Sequence, residues 1–361
     1  MGDGQEDNGA CTTAPPSAAS SAAAFATREE ADSLPWVGRD EQALEQWDFQ
    51  RFRFVTLLQE APRNSGRVEL CEDIETSQMV AVKAMPLSWT CDSHEAFLCA
   101  HPEENEFPWR DFEATRYLCR TAGLSCVCNF VGLFERETEA HGAEICLVLS
   151  YCSGGDLFSW LERGLPITGY AREIAARPLM RKVLEAVRAV HAHGIAHGDL
   201  SLENVLLDTE ETDPEAAVIR LIDFGACTGV RSIGARGKPS YQAPEVHSDQ
   251  EYSALAADTF SVGVMVFTLV VGTYPWQSTR THVCPCFRFA AERGLPAYLA
   301  RRKIKRGGRG EIVSLAELLS AELIELLVGM LAVDSGTRLS IAGALTHPWF
   351  SARSSACSNE Q

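Results

Sequence analysis

His197–Leu207, "HGDLSLENVLL", sets a carboxylate, Asp199, and a carboxamide, Asn204, five residues apart and then runs apolar through Val205, Leu206 and Leu207. The apolar end reads as a short strand, "VLLD", and a second, "VIRLIDF", follows beyond the acidic loop "TEETDPEA". Upstream, "REIAARPLMRKVLEAVRAVHAHG" carries Ile174, Leu179, Val183, Val187 and Val190 at spacings of three to five. That pattern predicts one face of a long helix, despite Pro178. The polar frame therefore sits on a loop between a helix and a strand.

Further toward the N-terminus the period changes. In "WDFQRFRFVTLLQ", Phe52 and Phe54 alternate with Arg51 and Arg53, the period of a half-buried strand. "RVELCED" and "MVAVKAMPL" are two more strands, with the turn "IETSQ" between them. A polar stretch with Pro102 and Pro108 leads to a helix from Trp109 to Cys119, and "EICLVLSYC" reads as a buried strand. From Ser253 to Phe350, helical segments alternate with polar loops. Strands first and helices later predict an α+β domain at 48–350, with a small β-rich lobe at 48–150 and a larger helical lobe at 151–350. Residues 1–47, acidic and rich in Ala and Ser, lack the large apolar groups that offset chain entropy, and read as a flexible tail. Residues 351–361 read as a short second tail.

A net charge of −17 over 361 residues argues against a duplex nucleic-acid partner, whose affinity rests on a basic footprint. The longest apolar run, "FSVGVMVFTLVVG", is too short to span a bilayer, so no membrane partner is expected. "MGDGQEDNGA" lacks the basic and apolar regions of a secretory signal, so the chain is expected to be intracellular, cytoplasmic or nuclear, with its thirteen cysteines reduced. Cys126-Val-Cys128 and Cys284-Pro-Cys286 have one residue between thiols, not the two to four usual for structural zinc. The run Arg301–Arg309 reads first as a solvated loop, and second as a nuclear signal or a patch for an acidic partner.

Several further segments carry chemistry: "VAVKAM" with Lys83, "SYCSGGDLFSWL", "LIDFGA" with Asp223, "GKPSYQAPEV", "DTFSVGVMVF" and "SGTRLS". Together with "HGDLSLENVLL", in this order over residues 48 to 350, they resemble the motif series of the eukaryotic-type protein kinases. The resemblance implies a two-lobed fold, an antiparallel sheet and one helix in the small lobe, and ATP and Mg2+ as cofactors. By the same resemblance Lys83 would hold the α- and β-phosphates. Asp199 would take or orient the acceptor hydroxyl's proton, and Asn204 and Asp223 would bind Mg2+. Val68 and Ala81 would sandwich adenine over Leu206. Leu149 would be the residue before the hinge, with backbone groups of Tyr151 and Cys152 bonding adenine and Asp156 reaching the ribose. Asp258 would brace the catalytic loop, and Arg338 would pair with Glu245.

The departures from the family pattern are informative. The glycine-rich loop falls on "APRNSG", where only Gly66 survives, and Arg63 stands at its middle. Backbone amides should approach phosphate less closely there, although the arginine adds a charge. Glu113 has the chemistry to pair with Lys83 and Asp111 has the better helical phase, so both stay open. Ser201 stands where serine/threonine kinases carry lysine, and Lys238 stands in the neighbouring loop where they carry threonine, so Lys238 is expected to supply the missing charge. Gly198 replaces the arginine that commonly needs a loop phosphate, so control by phosphorylation is not expected, with Thr228 and Ser232 the remaining sites.

The reading is an ATP-dependent protein kinase acting on Ser/Thr hydroxyls of protein substrates, as a monomer. The alternative is a pseudokinase that binds nucleotide as an interaction scaffold. A small-molecule kinase is disfavoured, since Ala243-Pro244-Glu245 and Arg338 suit a protein-substrate platform.

Overall fold

A computed structural model describes residues 34–35, 44–162, 169–208, 213–306 and 311–351. The small lobe is a six-stranded sheet built from β1 (Glu45–Gln46), β2 (Phe52–Ala61), β3 (Gly66–Asp73), β4 (Gln78–Pro86), β5 (Phe130–Thr138) and β6 (Gly142–Ser150), in the order β1-β5-β6-β4-β3-β2. Its pairings are antiparallel except β1 with β5. Strand β1 lies within the segment 1–47 read as a tail, and Leu34 is buried in the large-lobe core. The rest of that tail, 1–33 and 36–43, and the second tail beyond Ser351 lie outside the described residues.

Side-chain alternation divides the sheet into two faces. Val80, Val82 and Ala84 point into one core with Phe52, Cys71, Phe134, Cys146 and Val148, closed by Trp47. Ala81 and Lys83, offset by one residue, face the other way. Arg67 and Arg136 thread this lobe between Glu69 and Glu144, so each buried charge there has an opposite charge beside it.

Between β4 and β5 come α1 (Leu87–Thr90), α2 (His94–Ala100) and α3 (Pro108–Arg116), the last running into a π-helical turn, Tyr117–Thr121. Pro108 starts α3, where its missing N–H costs no hydrogen bond. The small lobe thus holds two short helices besides the expected one.

The large lobe opens with α4 (Leu157–Glu162) and α5 (Tyr170–His191), then the ribbon β7 (Val205–Leu207) and β8 (Ile219–Leu221), and the pair β9 (Arg231–Ser232) and β10 (Tyr252–Ser253). Helix α6 (Ala254–Val271) forms its centre. It is long and apolar enough to cross a membrane, unlike the shorter run read from sequence, and 78% of it is buried in the fold. Helices α7 (Pro285–Arg293) and α8 (Leu295–Arg301), hairpin β11 (Lys303–Arg306) with β12 (Glu311–Ser314), and α9 (Leu315–Leu318), α10 (Ala321–Met330), α11 (Ile341–Leu345) and α12 (Pro348–Ser351) complete it. The basic run Arg301–Arg309 falls on the end of α8 and on β11, with 307–310 outside the described residues.

Helix α5 buries Leu179, Val183, Val187 and Val190, but Ile174 is exposed. A step of five residues turns a helix about 140° beyond a full turn, so Ile174 leaves the apolar face. Its neighbour Glu173 is buried instead, accepting from Ser320 N, Ser320 Oγ and Trp349 Nε1.

Candidate active site

The cleft-facing side of the sheet aligns Val68 opposite Lys83 and Ala81 opposite Leu149. Lys83 Nζ lies 2.8 Å from Asp111 Oδ2 and 3.0 Å from Asp223 Oδ1. Glu113 pairs instead with Arg116 on its own helix, which leaves Asp111 as the helix partner of the lysine. Asp111 also accepts from Phe224 N through Oδ1, 2.8 Å away. One carboxylate therefore ties β4, α3 and the segment after β8 together.

At the back of the cleft, Tyr151 N donates to Met79 O, so that amide belongs to the sheet and not to a ligand. The Cys152 amide has no acceptor among the described residues, so of the two expected hinge amides it is the one open to adenine. The Cys152 thiol lies 4.0 Å from that of Cys128. Leu206 bridges Asp156 across the ribbon. One oxygen of Asp156 accepts from Ser159 N at the start of α4.

The catalytic loop hangs from Asp258 on α6, which accepts from His197 N at 2.8 Å and Gly198 N at 3.0 Å and contacts His191 Nε2 at 2.8 Å. Gly198 has φ +78°, and a Cβ there would sit 2.3 Å from Ala226 O. Only glycine permits that approach, so the absence of a larger residue at this position follows from the backbone. Asp199 Oδ2 accepts from Asn204 Nδ2 at 3.1 Å, and Oδ1 accepts from Lys238 N at 2.9 Å. Gly237 packs against the same carboxylate, where a Cβ would lie 2.6 Å from Oδ1. Lys238 Nζ donates to Ser201 Oγ at 2.7 Å and stands 3.9 Å from Asp199 Oδ2 and 3.7 Å from Glu203. The cation predicted to have changed loops is thus seated at Ser201.

Charges are unevenly matched across the cleft. Burial opposes the charge on Lys83, but Asp111 and Asp223 outweigh it and raise its pKa. Burial works against the Asp223 carboxylate too, yet Lys83 holds it below the usual range. Asp199 goes the other way: burial raises it, against the pull of Lys238 and His197. A carboxylate easier to protonate than usual is suited to receive a proton. Asn204 is anchored through Nδ2, which leaves its Oδ1 as a ligand atom, and Asp223 engages Lys83 through Oδ1; both side chains offer the oxygen chemistry that suits a hard divalent cation.

Several residues around the cleft were not read from sequence. Glu106 enters the site beside Lys83 and Asp223, where burial and Asp223 raise its pKa. It comes from "HPEENEF", a polar stretch with no periodic signal. Just beside it, the segment after β8 is tied to the start of α3. Phe107 N donates to Gly225 O, Asn105 Nδ2 to Ala235 O, and Arg110 Nη1 to Cys227 O. Thr228 and Ser232, the sites left open for phosphorylation, are both buried in that segment, and Ser232 Oγ accepts from Arg236. Farther out, Arg338 forks onto Glu245 at 2.6 and 2.8 Å, as expected.

A sheet-rich lobe over a helical lobe, with a lysine–carboxylate pair closing the cleft and an Asp–Asn loop below it, defines the kinase class of fold. The protein kinase domain family matches residues 64–350, and the chain belongs to it. It is 31% identical over 229 residues to "Maternal embryonic leucine zipper kinase" of Xenopus tropicalis, covering 62% of this chain and 30% of that protein. It is 32% identical over 229 residues to the protein of the same name from Danio rerio, of which it covers 29%. The chain thus spans under a third of the length of these relatives.

Proposed function

We propose that the chain is an ATP-dependent protein kinase that transfers the γ-phosphate to Ser or Thr hydroxyls of protein substrates. The observation that supports this most is the convergence of Lys83, Asp111 and Asp223 above Asp199, Asn204 and Lys238, drawn from five separate stretches of chain. Phosphoryl transfer needs little covalent chemistry from the protein and much positioning and charge compensation. In this reading Val68, Ala81, Leu149 and Leu206 enclose adenine, and the Cys152 amide holds its edge. Gly66 lets the loop above the cleft turn closely, and Lys83 orients the phosphates. Asn204 and Asp223 would hold Mg2+, which would supply charge neutralisation to the phosphates. Asp199 orients the incoming hydroxyl and takes its proton, and Lys238 offsets charge on the group in transit. "SGGDLF" and "HPWF" favour Ser/Thr over Tyr acceptors by family resemblance.

The test is labelled-phosphate transfer from Mg2+-ATP to a generic protein by the full chain. Binding of nucleotide without transfer would favour the second reading, a pseudokinase scaffold. The loop amides turned inward between β2 and β3 favour that reading, since they offer phosphate little grip.

Lys238→Met should lower kcat about ten- to a hundredfold, the worth of one charge-assisted contact. Asp199 is already raised by burial, and Lys238 opposes that rise. The acid limb of kcat/KM should therefore lie above that of an ordinary aspartate, and move to still higher pH in Lys238→Met. A pH–rate series on both proteins checks the sign; a limb that moves down, or unchanged turnover, removes Lys238 from the chemistry. Ser201→Lys combined with Lys238→Thr should recover part of the lost rate.

A further inference from the structure

The turn between β2 and β3 has closed on itself. Ala61 pairs with Gly66, Asn64 N donates to Ala61 O, and Gly66 N donates to the Asn64 side chain at 2.9 Å. Two amides that a glycine-rich loop would offer to an anion are therefore spent within the turn. A Cβ at Gly66 would meet Asn64 Oδ1 at 2.8 Å, so this tight form is built into the sequence. What the turn projects instead is Arg63. Its guanidinium crosses the mouth of the cleft to Glu104 and to Glu106, the latter at 3.1 Å. Arg63, Glu106, Lys83 and Asp111 line one small cavity of about 30 Å³. Glu106 thus occupies the place beside Lys83 where an anionic ligand would lie, and Glu104 holds the other side of the Arg63 guanidinium.

We propose that Arg63 is the phosphate-gripping residue of this turn, held on Glu104 and Glu106 until the polyphosphate of a nucleotide displaces those carboxylates. The assignment rests on the kinase reading above and names the group that replaces the missing glycine amides. Arg63 is 57% exposed, and an ion pair so open to water is weak, so the exchange costs little. Guanidinium binds phosphate through two parallel N–H donors as readily as it binds carboxylate. Burial and Asp223 raise the pKa of Glu106, and Lys83 and Arg63 oppose that rise. Bound phosphates would take over both cations, so Glu106 must turn outward or take a proton as they enter. Arg63 therefore acts on the phosphate chain and not on adenine.

The experiment is calorimetric binding of adenosine, ADP and ATP to the full chain with Mg2+ fixed. It is run on the unaltered protein, Arg63→Gln, and Glu104→Gln combined with Glu106→Gln. Arg63→Gln should weaken ATP and ADP about tenfold while adenosine stays within about twofold, the pattern of one lost charged contact. In turnover the loss should appear in KM for ATP more than in kcat. The double glutamine variant should bind ATP several-fold more tightly, because the resident competitors are gone. Equal weakening of adenosine and ATP in Arg63→Gln would mark a merely structural arginine, and no change in either would show that it does not reach phosphate. Both outcomes overturn the assignment and leave the kinase reading intact. An unaltered protein that binds neither adenosine nor ATP would remove both.

Discussion

Asp199→Asn is expected to lower turnover by about 10²- to 10⁴-fold, the range for removing a positioned proton acceptor. Asparagine keeps an oxygen for Lys238 N, so the loop should hold its place. Its NH2, however, would meet the NH2 of Asn204, and two donors cannot bond each other. Asn204 retains the Asp199 backbone oxygen at 2.7 Å, so its anchoring is weakened but not lost. Adenosine affinity should stay within about twofold, because neither group reaches the hinge and the loss falls on the proton-transfer step. Single-turnover transfer measured beside nucleotide binding separates these effects. Retained turnover would mean that the proton leaves by another route.

Arg338→Met is expected to cost about 3–5 kcal/mol of stability, the typical effect of removing one partner of a buried ion pair. The arginine side chain is fully buried and does four things at once. It forks onto Glu245, donates to Ala332 O and Ala256 O, and lies over the Phe260 ring at 5.1 Å. Methionine keeps much of the ring contact and strands the rest. The Glu245 carboxylate and two half-buried carbonyls each lose a donor, which is the costly direction of the change. Denaturant unfolding should show a lower midpoint, and pairing the change with Glu245→Gln should recover part of the loss by removing the stranded charge. If both variants unfold like the parent, Glu245 must have found water, and the fork contributes little.

The parts of the fold and site that sequence shows best are those with a period or a fixed spacing. Phe52, Val80, Val82 and Ala84 fall on inward positions because strands alternate, whereas Phe54, at the same period as Phe52, is exposed. Lys83, Asp199, Asn204 and Asp223 stand in motifs that resemble the kinase series, and the fold brings Lys83 to Asp223 and Asn204 to Asp199. Residues 87–107 were opaque, since α1 and α2 span four and seven residues, too few for a helical period to register. Asp111 and Glu113 could be separated only by the direction in which α3 presents them to Lys83. The link from Arg63 to Glu104 and Glu106 joins residues some forty positions apart, with no local pattern to announce it. Strand β1 escaped notice because two residues beside an Ala/Ser-rich segment carry no alternation.

Lys238 and Ser201 also bear on how such a sequence can drift over generations. A mutation returning lysine to position 201 while Lys238 remains would crowd two ammonium groups into a site that now spans 2.7 Å from nitrogen to hydroxyl. The opposite single step, loss of Lys238 alone, leaves the site with no cation. On the kinase reading either intermediate should turn over more slowly than both endpoints, so the two positions should be epistatic, with a valley between the two arrangements. Descendants of this chain should keep serine and lysine together or exchange both.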